Sequence, residues 1–297
     1  MNAAVFAFAE SIRQASDLAK QCQVPFVPIE ARSFPDGESL VRVHGDAPTA
    51  LLFRSLDDPN AKLIELLFAA SALRDNGAKR VILVAPYLAY MRQDMAFRAG
   101  EAVSQQVIGR LLASWFDGVL TVDPHLHRIA NLGEVMDATP AVAISAAPAL
   151  VQAIASDLDP RTVLVGPDSE SRQWVESIAR PLRLEFLVGE KVRRGDREVA
   201  LAIADISKVR QRPVILIDDM ISSGTTLIAC ARLLREAGAT NIQAVATHSL
   251  ASNADLARLA EEGITGFRAT DSTSSSASSI PLAGVLAEAI RNQGWLL

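Results

Sequence analysis

The chain has 297 residues, roughly two domains of ordinary size. Hydrophobic residues make up 49% of it, enough for a substantial core, and the formal net charge of −5 excludes a general nucleic-acid binder. No long uncharged apolar stretch and no N-terminal targeting signal are visible, so we expect a cytoplasmic protein that binds neither membranes nor nucleic acid. The two cysteines, Cys22 and Cys230, are too few for a disulfide framework or a metal cluster, and we expect buried thiols.

Strand-like and helix-like segments alternate along most of the chain. Uninterrupted aliphatic runs predict buried parallel strands at 3–9, 80–86, 118–123, 162–166, 213–218 and 242–247. Helical patterns lie near 12–19, 61–73, 106–115, 171–179, 226–237 and 281–292. The segment 61–73 is apolar on most of its faces, which predicts a buried helix, and the polar tract 272–279 predicts a mobile loop. The order predicts an α/β protein whose mainly parallel sheets are flanked by helices.

The sequence also contains a faint internal repeat. The run 80–87 (Arg-Val-Ile-Leu-Val-Ala-Pro-Tyr) resembles 161–168 (Arg-Thr-Val-Leu-Val-Gly-Pro-Asp), and each is followed later by an apolar strand that ends in an acid, Asp123 and Asp218. We therefore predict two similar domains, residues 1–143 and 144–297. Ligands of such sheets bind beyond the carboxyl ends of the strands, where the polar motifs of this chain fall.

The strongest local signal is 215–226 (Ile-Leu-Ile-Asp-Asp-Met-Ile-Ser-Ser-Gly-Thr-Thr). A buried strand delivers two acids, a short loop of small residues follows, and a helix then begins, so backbone N–H groups and a helix N-terminus can bind a phosphate monoester. The hydroxyls of the loop add donors, and Asp218 and Asp219 can accept hydrogen bonds from two sugar hydroxyls. The simpler alternative is a strand-to-helix turn with a Ser/Thr cap.

This stretch resembles the ribose-phosphate loop of type I phosphoribosyltransferases, in which two acids and three further residues precede Thr/Ser-Gly-x-Thr. Four other segments are similar to those of ribose-phosphate diphosphokinases, especially the archaeal-type branch. They are 34–38 (Phe-Pro-Asp-Gly-Glu), 90–94 (Tyr-Met-Arg-Gln-Asp) with 97–104, 122–125 (Val-Asp-Pro-His) and 190–194 (Glu-Lys-Val-Arg-Arg). The order and spacing of all five segments agree with those of this family, and the likeness runs over about residues 8–250.

The resemblance implies two phosphoribosyltransferase-like domains, transfer of the β,γ-diphosphate of ATP to ribose 5-phosphate, and Mg²⁺ as cofactor. The implied ATP-binding residues are Phe34, Asp36, Glu38, Arg92, Gln93, Asp94 and His125. Ribose 5-phosphate would be bound by Asp218, Asp219, Ser222, Ser223, Gly224, Thr225 and Thr226. His125 and Asp168 would serve the metal, and Lys191 and Arg193, on a mobile basic loop, would stabilise the transition state. In the family the segment 34–38 contacts ATP held mainly by the neighbouring subunit, which implies a homo-oligomer of at least two chains.

Several alternatives remain at this stage. Taken alone, Arg92 fits a surface ion pair, 34–38 a plain turn, 191–194 a solvated basic loop, and His125, which a second histidine follows at His127, a satisfied surface residue. The chain also departs from the family after Asp168, where Glu170 replaces an expected small residue; we expect Glu170 to bind a second Mg²⁺ or pair with Arg172. A transferase that consumes phosphoribosyl pyrophosphate and a non-catalytic regulatory homologue are the competing functions.

Overall fold

The computed structural model describes residues 2–126, 128–194 and 198–297, so the predicted neighbour His127 lies outside the described residues. The chain forms two compact units. The first comprises Met1–Ser145 together with Pro281–Leu297, and the second comprises Ala146–Ile280.

The strands of the first unit are β1 (Ala3–Ala7), β2 (Phe26–Ser33), β3 (Ser39–Val43), β4 (Thr49–Phe53), β5 (Arg80–Val84), β6 (Gly118–Val122) and β7 (Ala141–Ile144). Those of the second are β8 (Val163–Gly166), β9 (Glu185–Arg194), β10 (Glu198–Ile203), β11 (Pro213–Ile221), β12 (Asn241–Ser249), β13 (Ile264–Thr270) and β14 (Ser278–Ile280). The α-helices are α1 (Ile12–Cys22), α2 (Pro59–Asp75), α3 (Ser104–Trp115), α4 (Ala147–Ala155), α5 (Arg172–Leu182), α6 (Thr225–Glu236), α7 (Asn253–Glu261) and α8 (Ala283–Asn292).

The two sheets have the same topology. Their strand orders are β3-β2-β1-β4-β5-β6-β7 and β10-β9-β8-β11-β12-β13-β14, so each strand of the second sheet takes the place of the strand seven earlier. All pairs are parallel except the outer hairpins β2–β3 and β9–β10. The predicted fold class, two similar units with mainly parallel sheets flanked by helices, is confirmed.

Each unit contains one helix that follows the last strand of the other unit along the chain. After β7 the chain enters α4, which contacts α5 and β14, and after β14 it enters α8, which contacts α1 and β7. The predicted second domain, 144–297, therefore differs from the contact unit at its end, because Pro281–Leu297 belongs to the first unit. Trp295 is 5% exposed there and lies so close to Gly118 that a Cβ on that glycine would be 2.9 Å from the indole.

The core of each unit is aliphatic, as the composition predicted, and both cysteines are buried free thiols. Two local expectations are wrong. Helix α2 buries one face, but Ile64 is 51% and Phe68 45% exposed, because only the side toward the sheet is covered. The tract 272–279 is not a loose loop: Ser272, Thr273 and Ala277 are buried, and its hydroxyls bond to backbone carbonyls, Ser272 Oγ donating to Thr247 O at 3.0 Å and Thr273 Oγ1 to Ser249 O at 2.7 Å.

Among the described residues, no helix combines the length and the apolar character needed to cross a membrane.

Candidate active site

Residues Ser222–Thr226, here called the phosphate loop, connect β11 to α6. Helix α6 begins at Thr225, and its N-cap is Gly224 in the left-handed conformation, with φ 72° and no side-chain capping hydrogen bond. The side chains of Ser223 and Thr225 bond to each other, 3.0 Å between hydroxyl oxygens. The alternative of a helix capped by a Ser/Thr side chain is therefore not what the structure shows. The open N-terminus and exposed hydroxyls suit an anion.

Two acids lie inside β11, which continues to Ile221 rather than ending at 218 as expected. Asp219 is 5% exposed, and its N–H donates to Asp218 Oδ1 at 3.0 Å. Burial, followed by the charges of Asp219 and Asp168, raises the pKa of Asp218 well above its ordinary value. The thiol of Cys230 lies close enough to this cluster that burial, with Asp218 and Asp168, raises its pKa to about 12. The structure thus brings Asp168, Asp218 and Asp219 into one cluster of acids beside the phosphate loop.

We expect Asp218→Asn to raise the stability of the metal-free protein at neutral pH. Because the native pKa of Asp218 is raised, the unfolded chain loses this proton first, and the free energy of unfolding falls as pH rises from the ordinary aspartate pKa to the native one. Each tenfold difference in proton affinity changes that free energy by about 1.4 kcal/mol. Urea unfolding with a chelator, as a function of pH, should show a flatter profile for this variant than for wild type or the exposed-site control Asp157→Asn; parallel profiles would contradict the expectation.

Asp168 follows β8 and closes the turn after it. Its Oδ1 accepts hydrogen bonds from the N–H groups of Glu170 (3.2 Å) and Ser171 (3.3 Å), which leads the chain into α5. Glu170 and Arg172 are both exposed, and among the described residues they form no ion pair with each other. The expected neutralisation of Glu170 by Arg172 is not seen, because the short 3₁₀ turn over 169–171 leaves both side chains in solvent.

The predicted basic loop is a strand. Lys191 and Arg193 lie on β9, paired by register with Leu201 and Val199 of β10, and not in a loose loop as expected. The parallel pairing of β9 with β8 ends at Val188, so β9 carries Lys191 about 10 Å further, past the carboxyl end of the sheet. Gly189 allows this, since a Cβ there would be 2.5 Å from the carbonyl oxygen of Pro167.

In the first unit, the predicted ATP segment lies after β5 and is held in place by contacts of Gln93 and Asp94. Gln105 N donates to Gln93 O at 3.2 Å, and Ser104 Oγ donates to Gln93 Oε1 at 3.3 Å. Asp94, whose side chain is 1% exposed, accepts a 2.6 Å hydrogen bond from Arg128. That ion pair ties the segment to the loop after β6, which carries His125, so the structure brings together two motifs that the sequence showed 31 residues apart. The other oxygen, Asp94 Oδ2, is buried and accepts no hydrogen bond from the described residues.

Arg128 was not predicted as a site residue. It pairs with an acid 34 positions earlier, and no local pattern marks such a contact.

The turn with Phe34, Asp36 and Glu38 lies elsewhere in the first unit, at the tip of the β2–β3 hairpin. It is exposed and is held by its own hydrogen bonds, Phe34 N to Glu38 O at 2.7 Å and Glu38 N to Asp36 Oδ1 at 3.1 Å. Because β1 and β4 separate β2 from β5, three strand spacings, or roughly 14 Å, lie between this strand and the one that leads to the ATP segment. This turn and the basic strand β9 occupy equivalent outer hairpins of the two halves.

No cluster of three or more His, Cys, Asp or Glu side chains arranged for a metal ion occurs among the described residues. Asp168, Asp218 and Asp219 are nevertheless of the ligand type that Mg²⁺ prefers, and Mg²⁺ needs few protein ligands because it keeps several waters and takes substrate phosphates as ligands. A cation would also offset the burial and the neighbouring charges of Asp219 and Asp168, which together raise the pKa of Asp218.

The fold defines a protein of two similar phosphoribosyltransferase-like units, the second of which has an open loop between β11 and α6 that suits an anion. Comparisons with known proteins narrow the class. The family model of the N-terminal domain of ribose phosphate pyrophosphokinase matches residues 3–115, and that of the phosphoribosyl transferase domain matches residues 135–264.

The ribose-phosphate pyrophosphokinase of Methanopyrus kandleri is 33% identical over 97% of this chain and 98% of its own, and that of Methanobrevibacter smithii is 30% identical over 94% of this chain and 96% of its own. The crystal structure of phosphoribosylpyrophosphate synthetase from Mycobacterium smegmatis superposes with a TM-score of 0.83 at 28% identity, covering 99% of both chains.

The chain belongs to the ribose-phosphate pyrophosphokinase family. The family and enzyme class predicted from the sequence are confirmed.

Proposed function

We propose that this chain transfers the diphosphoryl group of ATP to the anomeric hydroxyl of ribose 5-phosphate, giving phosphoribosyl pyrophosphate and AMP. The observation that carries the proposal is the open phosphate loop beside the half-buried Asp218 and the buried Asp219, in a chain that matches a member of this family over 97% of its length. The loop provides N–H and hydroxyl donors for a monoester, and the acids provide acceptors for ring hydroxyls.

In this proposal the attacking oxygen is the anomeric hydroxyl. It forms a bond to the β-phosphorus of ATP while the bond from that phosphorus to the α–β bridging oxygen breaks, and the hydroxyl proton is lost to solvent or to the products. The phosphate loop fixes one end of the sugar, and Asp218 and Asp219 orient its ring, so the nucleophile is presented in a defined position. Positioning of this kind replaces a collision between free reactants, and no covalent intermediate with the protein is needed.

ATP binding is assigned to the first unit and the β2–β3 turn. Arg92 offers a planar fork of donors for phosphate oxygens, and Gln93 a side-chain amide. The buried Oδ2 of Asp94 is an acceptor to which none of the described residues donates, and adenosine offers an amino group and ribose hydroxyls as donors. Phe34, Asp36 and Glu38 contribute from the exposed hairpin tip.

Magnesium is assigned to ATP and to the cluster of acids. Asp168 and the neighbouring Asp218 and Asp219 would hold it in the second unit, and His125 would contact it in the first. When bound, the ion supplies positive charge to the phosphate oxygens. Lys191 and Arg193 stabilise the charge that develops on the transferred group.

The direct test is incubation with Mg·ATP and ribose 5-phosphate while AMP is measured. We expect steady AMP release that depends on the sugar phosphate, with little release when ribose replaces it, because ribose lacks the group that the loop binds. ATP binding without sugar-dependent AMP would favour the regulatory homologue, and pyrophosphate release from phosphoribosyl pyrophosphate with a nucleobase would favour the transferase.

The active site is proposed to span two subunits of a homo-oligomer, because the Phe34–Glu38 turn lies so far from the ATP segment of its own sheet. Co-expression of Asp36→Ala with Lys191→Ala chains should restore activity that neither variant has alone, since one hybrid site then keeps both residues. The matched control is the double variant co-expressed with Lys191→Ala, where no complete site can form. Mixed oligomers without recovered activity would place the site within one chain.

A further inference from the structure

Helix α7 packs against the phosphate loop. Leu259 is 1% exposed, and a Cβ on Gly224 would lie 2.7 Å from its Cδ2, so the loop rests directly on this side chain. The helix begins at a capping box in which Ser252 and Asp255 bond to each other's backbone N–H groups. The loop therefore depends on an element that the sequence pattern did not connect with it.

The neighbouring residue, Arg258, holds the loop by a hydrogen bond. Its Nη2 donates to the carbonyl oxygen of Ser223, 35 positions away in the chain. In a trans peptide the carbonyl and the following N–H point in opposite directions. Arg258 bonds to Ser223 O on one side of this peptide. The N–H of Gly224 therefore points to the other side. Among the described residues, no atom accepts a hydrogen bond from that N–H.

Other acids near Arg258 do not account for its position. Arg232 donates two hydrogen bonds to Glu262, at 2.5 and 2.9 Å, and these bonds are the main cause of the lowered pKa of Glu262. The pKa of Asp255 is lowered mainly by hydrogen bonds from Ser252. In the part of the chain that the structure describes, Arg258 forms no ion pair with either acid. Arg258 instead donates a hydrogen bond to Ser223 O in the phosphate loop.

We infer that Arg258 is a positioning residue for the phosphate of the sugar substrate. It fixes the Ser223–Gly224 peptide so that Gly224 N–H faces the bound phosphate, and its positive charge polarises that peptide, which makes the N–H a stronger donor. The inference rests on the proposed function only in that the phosphate loop binds ribose 5-phosphate.

The test is calorimetric binding of ribose 5-phosphate and, separately, of Mg·ATP to the full-length protein. Arg258→Gln keeps a long polar side chain but removes the charge, and we expect it to raise the Kd for ribose 5-phosphate about tenfold, the order for one charge-assisted hydrogen bond. The Kd for Mg·ATP should not change, and Arg258→Lys should recover part of the loss. The matched control is Arg232→Gln, an exposed arginine on α6 that pairs with Glu262 and not with the loop. In steady-state assays, the KM for ribose 5-phosphate should rise more than kcat falls.

A purely structural role predicts a different pattern, in which Arg258→Gln lowers the melting temperature and weakens both ligands alike; that pattern, or unchanged sugar-phosphate affinity, overturns the inference. Because binding needs no turnover, the two proposals can fail separately. A wild-type protein that binds ribose 5-phosphate but releases no AMP contradicts the proposed function and leaves the Arg258 comparison valid. A wild-type protein that does not bind ribose 5-phosphate overturns both.

Discussion

Replacing Lys191 by alanine is expected to lower kcat at least about a hundredfold, the scale for losing one electrostatic stabiliser of a transition state. The lysine lies on the part of β9 that continues past the carboxyl end of the sheet, beyond the turn that carries Asp168. A cation brought there can act on the transferred diphosphoryl group, whose charge is spread over its oxygens in the transition state. Binding of Mg·ATP should be preserved, because that ligand is assigned to the first unit and the β2–β3 hairpin.

The measurement is kcat by AMP release together with the Kd of Mg·ATP by calorimetry. Lys208→Ala is a suitable control, since Lys208 is an exposed lysine of the second unit that pairs at the surface with Glu185. Near-normal turnover of Lys191→Ala would remove this strand from the mechanism, and equal losses in both lysine variants would point to a general effect of charge.

Replacing Gly224 by alanine is expected to weaken binding of ribose 5-phosphate by more than about a hundredfold. Two effects combine at this position. A φ of 72° costs a residue with a Cβ roughly 1–2 kcal/mol. The new methyl group would also lie 2.7 Å from Cδ2 and 3.2 Å from Cγ of Leu259, and because that leucine is buried we expect the loop to shift and its N–H donors to lose their common focus.

A matched control exists just past the other end of the same helix. Gly238 also has a positive φ, 92°, but a Cβ there meets its nearest neighbour, Arg210 Cγ, only at 3.5 Å. Gly238→Ala should therefore lose stability from backbone strain and leave the Kd for ribose 5-phosphate unchanged. Similar losses of binding in both variants would show that strain alone, and not the geometry of the phosphate loop, is responsible.

The sequence was most informative where chemistry is local. Aliphatic strands, the paired Asp218 and Asp219 and the phosphate loop follow one another within a few residues, so pattern and spacing were enough to predict the α/β class, the duplication and the family. The start of α6 could also be foreseen, because an acidic strand end followed by small residues has few other structural solutions.

Sequence patterns were less informative where burial depends on distant partners. The polar tract at 272–279 looked like a mobile loop, yet its hydroxyls are used by the backbone of β12, which no local pattern shows. Helix α2 looked fully buried, yet Ile64 and Phe68 on its outer face are about half exposed, 51% and 45%.

The sequence by itself determined the family, the order of the elements and the residue types at the site, because these depend on spacing along the chain. Only the tertiary structure decided which of those residues meet. It joined Asp168 to Asp218 and Asp219 through adjacent parallel strands, linked Asp94 to the loop of His125 through Arg128, and placed Arg258 and Leu259 against the phosphate loop. It also placed α4, which follows β7 of the first unit, in the second unit, and α8, which follows β14 of the second unit, in the first. Such contacts join residues tens of positions apart, and their energies come from burial and hydrogen-bond geometry, which exist only after the chain has folded.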